Sequence, residues 1–260
     1  QWVLSDVAHI PGGGLGLLLG FGFIFYVLKP GKVSFEAPST VQGWVRRCHD
    51  VLENFEYLLE EGEQNESKKE RINSLQKIID RSEDQNIGFL KTKGVKLPEK
   101  ENLENALGIT NKVKVALPVS LPVRDQKWIL PDLIHEQDFI VYSLALPMSA
   151  ADLLWIKNIP TDQPAWLMVS CKDSSDWSNE RKALEAQLPN RWTDRILKWN
   201  GSQAEMATVL SPIKKVLEEP KKNTDITKQR LLSRLHSSWQ KDLEQLRREK
   251  FKVIQTRSQW

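Results

Sequence analysis

Residues 139–170 read FIVYSLALPMSAADLLWIKNIPTDQPAWLMVS, and the fold turns on this stretch. Residues 139–146 and 166–170 are near-continuous apolar runs, the pattern of strands covered on both faces. The segment between them, 149–158, has the length and composition of a helix, which lets the chain cross over and return parallel to its first strand. Strand, helix and buried strand in that order are the repeating unit of an α/β domain.

Outward from this unit the same alternation continues. Residues 87–90, 112–118 and 195–199 read as further strands, with helices at 99–107, 178–188 and 203–218 between and after them. The prediction for residues 86–220 is an α/β domain, P-loop-like in layout, with a doubly wound, mostly parallel sheet. Residues 33–85 read as a helical hairpin. Ser39 or Thr40 stands ready to cap a helix in which Val41, Trp44, Val45, Cys48, Leu52, Phe55 and Leu59 recur every three or four positions. Ile72, Leu75 and Ile79 mark the second helix. Residues 221–260 read as a long amphipathic helix, with Leu232, Leu235, Trp239, Leu243, Leu246 and Val253 in a narrow stripe beneath a basic surface.

The 260 residues are 40% hydrophobic and 27% charged, which excludes both a disordered polymer and a polytopic membrane protein. Two cysteines, Cys48 and Cys171, are too few for a disulfide framework and fit a reducing compartment. The net charge of +3 conceals an asymmetry: residues 50–66 hold seven acids and no Lys or Arg, whereas 221–258 hold eleven bases against four acids. The basic helix is expected to lie along the acidic hairpin. An anionic lipid surface is the lesser alternative, because the stripe is narrower than a lipid-facing helix requires.

Residues 1–32 are set apart. Residues 10–28, IPGGGLGLLLGFGFIFYVL, carry no charge and as a helix would cover about 28 Å, enough to cross a bilayer. Lys29, Lys32, Arg46 and Arg47 follow this segment, which places the N-terminus outside or in a lumen and the rest of the chain in the cytoplasm. Gly12, Gly16 and Gly20 recur at four-residue spacing, a groove against which the helix of an integral membrane partner can pack closely.

A strand followed by a basic, glycine-containing loop and a helix is where P-loop proteins hold phosphate. Residues 86–108, NIGFLKTKGVKLPEKENLENALG, have that form. Together with residues 138–177 and the helix that opens PKKNTDITKQRLL, this segment resembles the cyanobacterial membrane-associated GTPase-like family of Era-like P-loop proteins. The resemblance implies a membrane anchor, a G domain, a thylakoid or plasma membrane setting, and a role beside membrane complexes, photosynthetic ones among them.

The motifs depart from that family at every chemical position. With Gly94-Val95 set in the loop interior, Lys91 and Lys96 replace the two glycines, Leu97 the phosphate lysine and Pro98 the metal-binding hydroxyl. SCKDSSD, residues 170–176, breaks the base-reading N/T-K-x-D element, and no D-x-x-G precedes Phe139. What remains is a degenerate phosphate-loop region, Lys91, Lys93, Gly94 and Lys96, able to attract an anion but without a ligand for Mg²⁺. No catalytic residue and no cofactor is expected, GTP being the minor alternative.

His9, His49, His135 and His236 fall on different predicted elements, so no metal site is expected. Ten tryptophans are many, and Trp155, Trp177 and Trp192 are the interface candidates. The basic C-terminal helix lacks interleaved aromatics or a recognised module, which argues against nucleic acid. The expectation is a membrane-anchored, pseudo-GTPase-like binding protein that scaffolds, assembles or stabilises a membrane complex. The alternatives are a divergent GTP-binding switch and a peripheral module that remodels anionic membranes.

Overall fold

The computed structural model describes residues 37–58, 61–92, 94–107, 113–124, 127–171 and 176–257, with the side chains of 61–65 and 253–257 left out. Residues Ser39–Trp260 form one compact unit. The preceding unit, Gln1–Pro38, contains the predicted membrane segment 10–28 with Gly12, Gly16 and Gly20, all of which lie outside the described residues. Among the described residues no helix is long and apolar enough to cross a membrane.

The first helix, α1 (Val41–Glu56), is capped by Thr40, whose side chain accepts from the Gly43 amide at 3.1 Å. Helix α2 (Glu61–Ile79) returns antiparallel and completes the hairpin. The α/β body follows: β1 (Gln85–Thr92), α3 (Lys100–Leu107), β2 (Val113–Val115), β3 (Val119–Leu121), α4 (Asp132–His135), β4 (Phe139–Ala145), α5 (Ala150–Asn158), β5 (Ala165–Ser170), α6 (Trp177–Gln187), β6 (Ile196–Trp199), α7 (Met206–Val209) and α8 (Ser211–Leu217). The chain ends in α9 (Pro220–Arg257), 38 residues long.

Every strand pairing is parallel, in the order β2-β1-β4-β5-β6 with β3 also on β1. The strand expected at 112–118 is an edge in two pieces: β2 stops at Val115 and pairing with β1 resumes at Val119. Pro118 lies at the break and has no N–H to give to a ladder. The helix expected over 203–218 is likewise divided, into α7 and α8, with Pro212 in the first turn of the second, where its missing N–H costs nothing. Taking β2 and β3 as one edge, the order is that of a doubly wound fold whose switch point lies between β1 and β4.

Three clusters of buried side chains hold the unit together. On one face of the sheet Leu90, Ile140, Tyr142, Leu144, Leu167 and Val169 pack against α5 and α6. On the other, Ile87, Phe89, Phe139, Val141, Trp166 and Met168 pack against α3, α7 and α8. The third lies outside the sheet, where Trp44, Cys48, Leu52 and Phe55 of α1 meet Leu232, Trp239 and Leu243 of α9. The acidic hairpin and the basic helix therefore do pack on each other, with Arg71 of α2 also 3.9 Å from Asp242 of α9.

The bundle joins the sheet through polar groups. Asp138, at the start of β4, accepts from Arg81 Nη2 at 2.8 Å and from the Asn86 amide at 2.7 Å. Arg230 of α9 donates to the Gln137 carbonyl at 2.6 Å, Asn223 to Gln85 Oε1 at 2.7 Å, and Lys228 to the Ile79 carbonyl at 2.6 Å. Gln137 lies so close to β1 that a Cβ on Gly88 would stand 2.8 Å from its Cγ.

Leu232 is fully buried between α1 and α9. Leu232→Ala is expected to lower the unfolding free energy by about 3 kcal/mol, read from urea denaturation. Burial lowers the pKa values of His135 and His236, with Arg234 and Arg47 respectively acting in the same direction. Their neutral forms thus contribute stability that is complete above about pH 6.5 and is lost as the pH falls from there through their lowered native values. The double variant His135→Gln/His236→Gln should therefore show a smaller loss of melting temperature between pH 7.5 and 5.5 than the unaltered protein.

Candidate functional site

In a doubly wound sheet ligands bind outside the carboxyl ends of the strands, at the switch point. In this chain that place lies between the loop after β1 and the loop after β4. Both are held by side chains of the protein itself.

The carboxylate of Asp152, in the first turn of α5, is the centre of the arrangement. Its Oδ1 accepts from Thr92 Oγ1 at 2.9 Å and from the Tyr142 hydroxyl at 2.8 Å. Its Oδ2 accepts from the Ser149 amide at 3.1 Å and from Ser149 Oγ at 2.6 Å, while Ser149 Oγ in turn accepts from the Asp152 amide. This is a capping box in which the acid also ties β1 to β4. Burial, and then the adjacent Asp152 charge, raise the Tyr142 pKa, so the phenol stays a neutral donor at physiological pH.

The phosphate-loop region is equally self-contained. Lys91 Nζ donates to the Val95 carbonyl at 2.8 Å, four residues on, and the Val95 amide returns to the Thr92 carbonyl at 3.3 Å. Gly94 turns the loop at φ +100°, a conformation that disfavours a side chain even though the space beyond it is open. Lys96 is exposed, Leu97 packs on the core and Pro98 is buried. Lys93 lies outside the described residues. The positive end of α3 is complemented by Glu99 and Glu101, which oppose the approach of an anion. Lys91, Gly94 and Lys96 are thus neighbours in one turn, with the Lys91 ammonium held by the Val95 carbonyl and Lys96 exposed.

The tryptophans require a correction. Trp155 and Trp192, predicted at an interface, are each 1% exposed and belong to the core. Trp155 donates from Nε1 to the Pro122 carbonyl at 2.8 Å and packs edge-on to Trp128, while the Arg191 guanidinium lies 4.8 Å from the Trp192 ring. Trp155 on α5 and Trp192 in the short turn Asn190–Trp192 each gain more by burying a large ring against the sheet than by leaving it exposed to a partner. Trp177 alone of the three is half-buried, with Lys198 Nζ 5.7 Å from its ring.

Among the described residues there is no group of three or more His, Cys, Asp or Glu able to hold a metal ion. The Cys48 thiol lies against the Leu232 carbonyl and burial pushes its pKa up to about 11, which leaves it unreactive. Lys172 and Asp173, of the broken base-reading element, lie outside the described residues. Thr92, Tyr142 and Asp152 were not singled out in the sequence, although Ser149-x-x-Asp152 at the head of an apolar helix is a readable capping signal.

No protein-family model and no curated protein matches the chain, so neither supports an Era-like or cyanobacterial assignment. Among solved structures, a LAO/AO transport system kinase is similar to it with a TM-score of 0.35 and 11% sequence identity, over 86% of this chain and 87% of that one. A likeness that loose concerns layout only and carries no assignment of activity.

If Asp152 serves structure, its loss must be costly. Asp152→Ala leaves buried donors without an acceptor and should lower the unfolding free energy by about 3 kcal/mol or more. Ser149→Ala should cost about 1 kcal/mol, and Lys96→Ala should fall within about 0.5 kcal/mol of the unaltered protein. A stabilised Asp152→Ala variant in the same urea titration would mark instead a strained, functional carboxylate.

Proposed function

We propose that this chain is a non-catalytic binding protein, anchored by residues 10–28, whose α/β body scaffolds, assembles or stabilises a membrane protein complex. The observation that carries the non-catalytic part is the closed switch point: Asp152 accepts four hydrogen bonds from Thr92, Tyr142 and Ser149, and Lys91 is engaged by its own loop. With the phosphate lysine and metal hydroxyl replaced by Leu97 and Pro98, the site has neither the charge nor the donors that phosphoryl transfer needs.

Anchoring rests on the sequence of residues 10–28 and on the basic residues that follow, which favour a cytoplasmic body. Gly12, Gly16 and Gly20 then offer the contact to an integral membrane partner. The lipid-remodelling alternative is weakened by the packing of α9. Leu232, Trp239 and Leu243 pack on α1, so among the described residues of α9 an anionic bilayer would be met by the basic surface with only Ile226 and Phe251 as exposed large apolar side chains.

Equilibrium binding of labelled GTP and GDP with Mg²⁺ to the full chain in detergent tests this reading. No binding is expected up to about 1 mM nucleotide. Binding at about 1 μM that is lost in Lys93→Ala/Lys96→Ala would replace the scaffold with a nucleotide switch.

A further inference from the structure

On the carboxyl-end side of the sheet, beside the closed switch point, lies a groove of about 300 Å³. One wall is the segment that leaves β4, Leu146, Pro147 and Met148; the other is α6, with Glu180, Ala183 and Gln187. Among the described residues the lining is apolar apart from one carboxylate and one amide. Among the described lining residues Glu180 carries the only formal charge, and its described partner is the Cys171 thiol, whose Sγ lies 3.2 Å from Oε2. A thiol is a weak donor, and among the described residues Glu180 has no ion pair. An anion in an apolar groove with so little to neutralise it is matched by a cation on an aliphatic stem.

We infer that this groove receives a lysine side chain of a partner polypeptide. The methylene stem lies along Leu146, Met148 and Ala183, and the ammonium reaches the Glu180 oxygen that the thiol leaves free. An arginine fits less well, because its fork seeks two oxygens at once and one is already engaged. The openness of the groove selects a tethered side chain over a free amine. Ala183, Gln187 and Pro147 are exposed, so a small molecule would remain largely in water, whereas binding sites for such molecules enclose most of the ligand surface. This contact goes beyond the scaffold reading and stands whether or not the chain binds nucleotide.

Fluorescence anisotropy of a labelled pentapeptide, acetyl-Ala-Ala-Lys-Ala-Ala-amide, titrated with the full chain in detergent, tests the assignment. Binding is expected in the range of about 0.1–1 mM, at least about tenfold weaker for the norleucine peptide and for Glu180→Gln. Ala183→Trp fills the groove from an exposed helix position and should abolish binding without changing the circular dichroism melt. Equal affinity of the lysine and norleucine peptides, unchanged affinity in Glu180→Gln, or no binding up to about 5 mM would overturn it. Free n-butylammonium binding as tightly as the peptide would overturn the choice of a polypeptide partner and assign the groove to a small amine.

Discussion

The long C-terminal helix must belong to two bodies at once, and the buried carboxylate of Asp138 with the guanidiniums of Arg81 and Arg230 makes this feasible. Around these groups α2, β1, β4 and α9 converge, and their hydrogen bonds, with that of Asn223 to Gln85, set the bundle against the sheet. The face that α9 turns to the sheet is polar, Asn223, Thr224, Thr227 and Arg230 all being buried, whereas two turns later it is apolar against α1. Burial lowers the Arg230 pKa to about 10, opposed by Asp162 and Asp138, and the group stays charged at neutral pH. A buried charge of this kind adds little net stability, yet its loss is severe because the partner is stranded. Directional bonds of this sort fix geometry where apolar contacts would tolerate sliding.

A fixed frame at the amino ends of the strands leaves the carboxyl ends to evolve separately. There Asp152 performs the opposite task. Instead of holding a neighbouring body, it closes a ring of hydrogen bonds at the carboxyl ends of two strands. The closure recruits Thr92 from β1 and Tyr142 from β4, the two strands that flank the switch point. One strand along the sheet lies the groove walled by α6.

How much of this was written legibly in the sequence follows from range. The strands 139–146 and 166–170 were readable because a strand covered on both faces is apolar along its whole length, and the structure places them at 139–145 and 165–170. The divided edge of β2 and β3 was missed because each piece spans three residues, too few for any periodicity to declare itself. The four-residue helix α4 escaped for the same reason. At the site, the loss of the phosphate-loop residues was plain from 91–98, a local pattern. The Asp152 hub was not, since Thr92 lies 60 residues away and its approach depends on sheet register. Trp155 and Trp192 misled because a tryptophan's composition signal is the same in a core and at an interface; only its neighbours distinguish them.

The pairing of α1 with α9 also bears on how the chain is made. Cys48 and the Leu232 carbonyl are 3.8 Å apart in space and 184 residues apart in sequence. Every strand and both helical layers of the sheet lie between them. During synthesis from the amino end, the parallel sheet can therefore close while α9 is still inside the ribosome, and until then α1 has only α2, through Leu75 and Arg71, to pack against. A helix made early is thus among the last to complete its packing, and the strip it keeps for α9 is apolar.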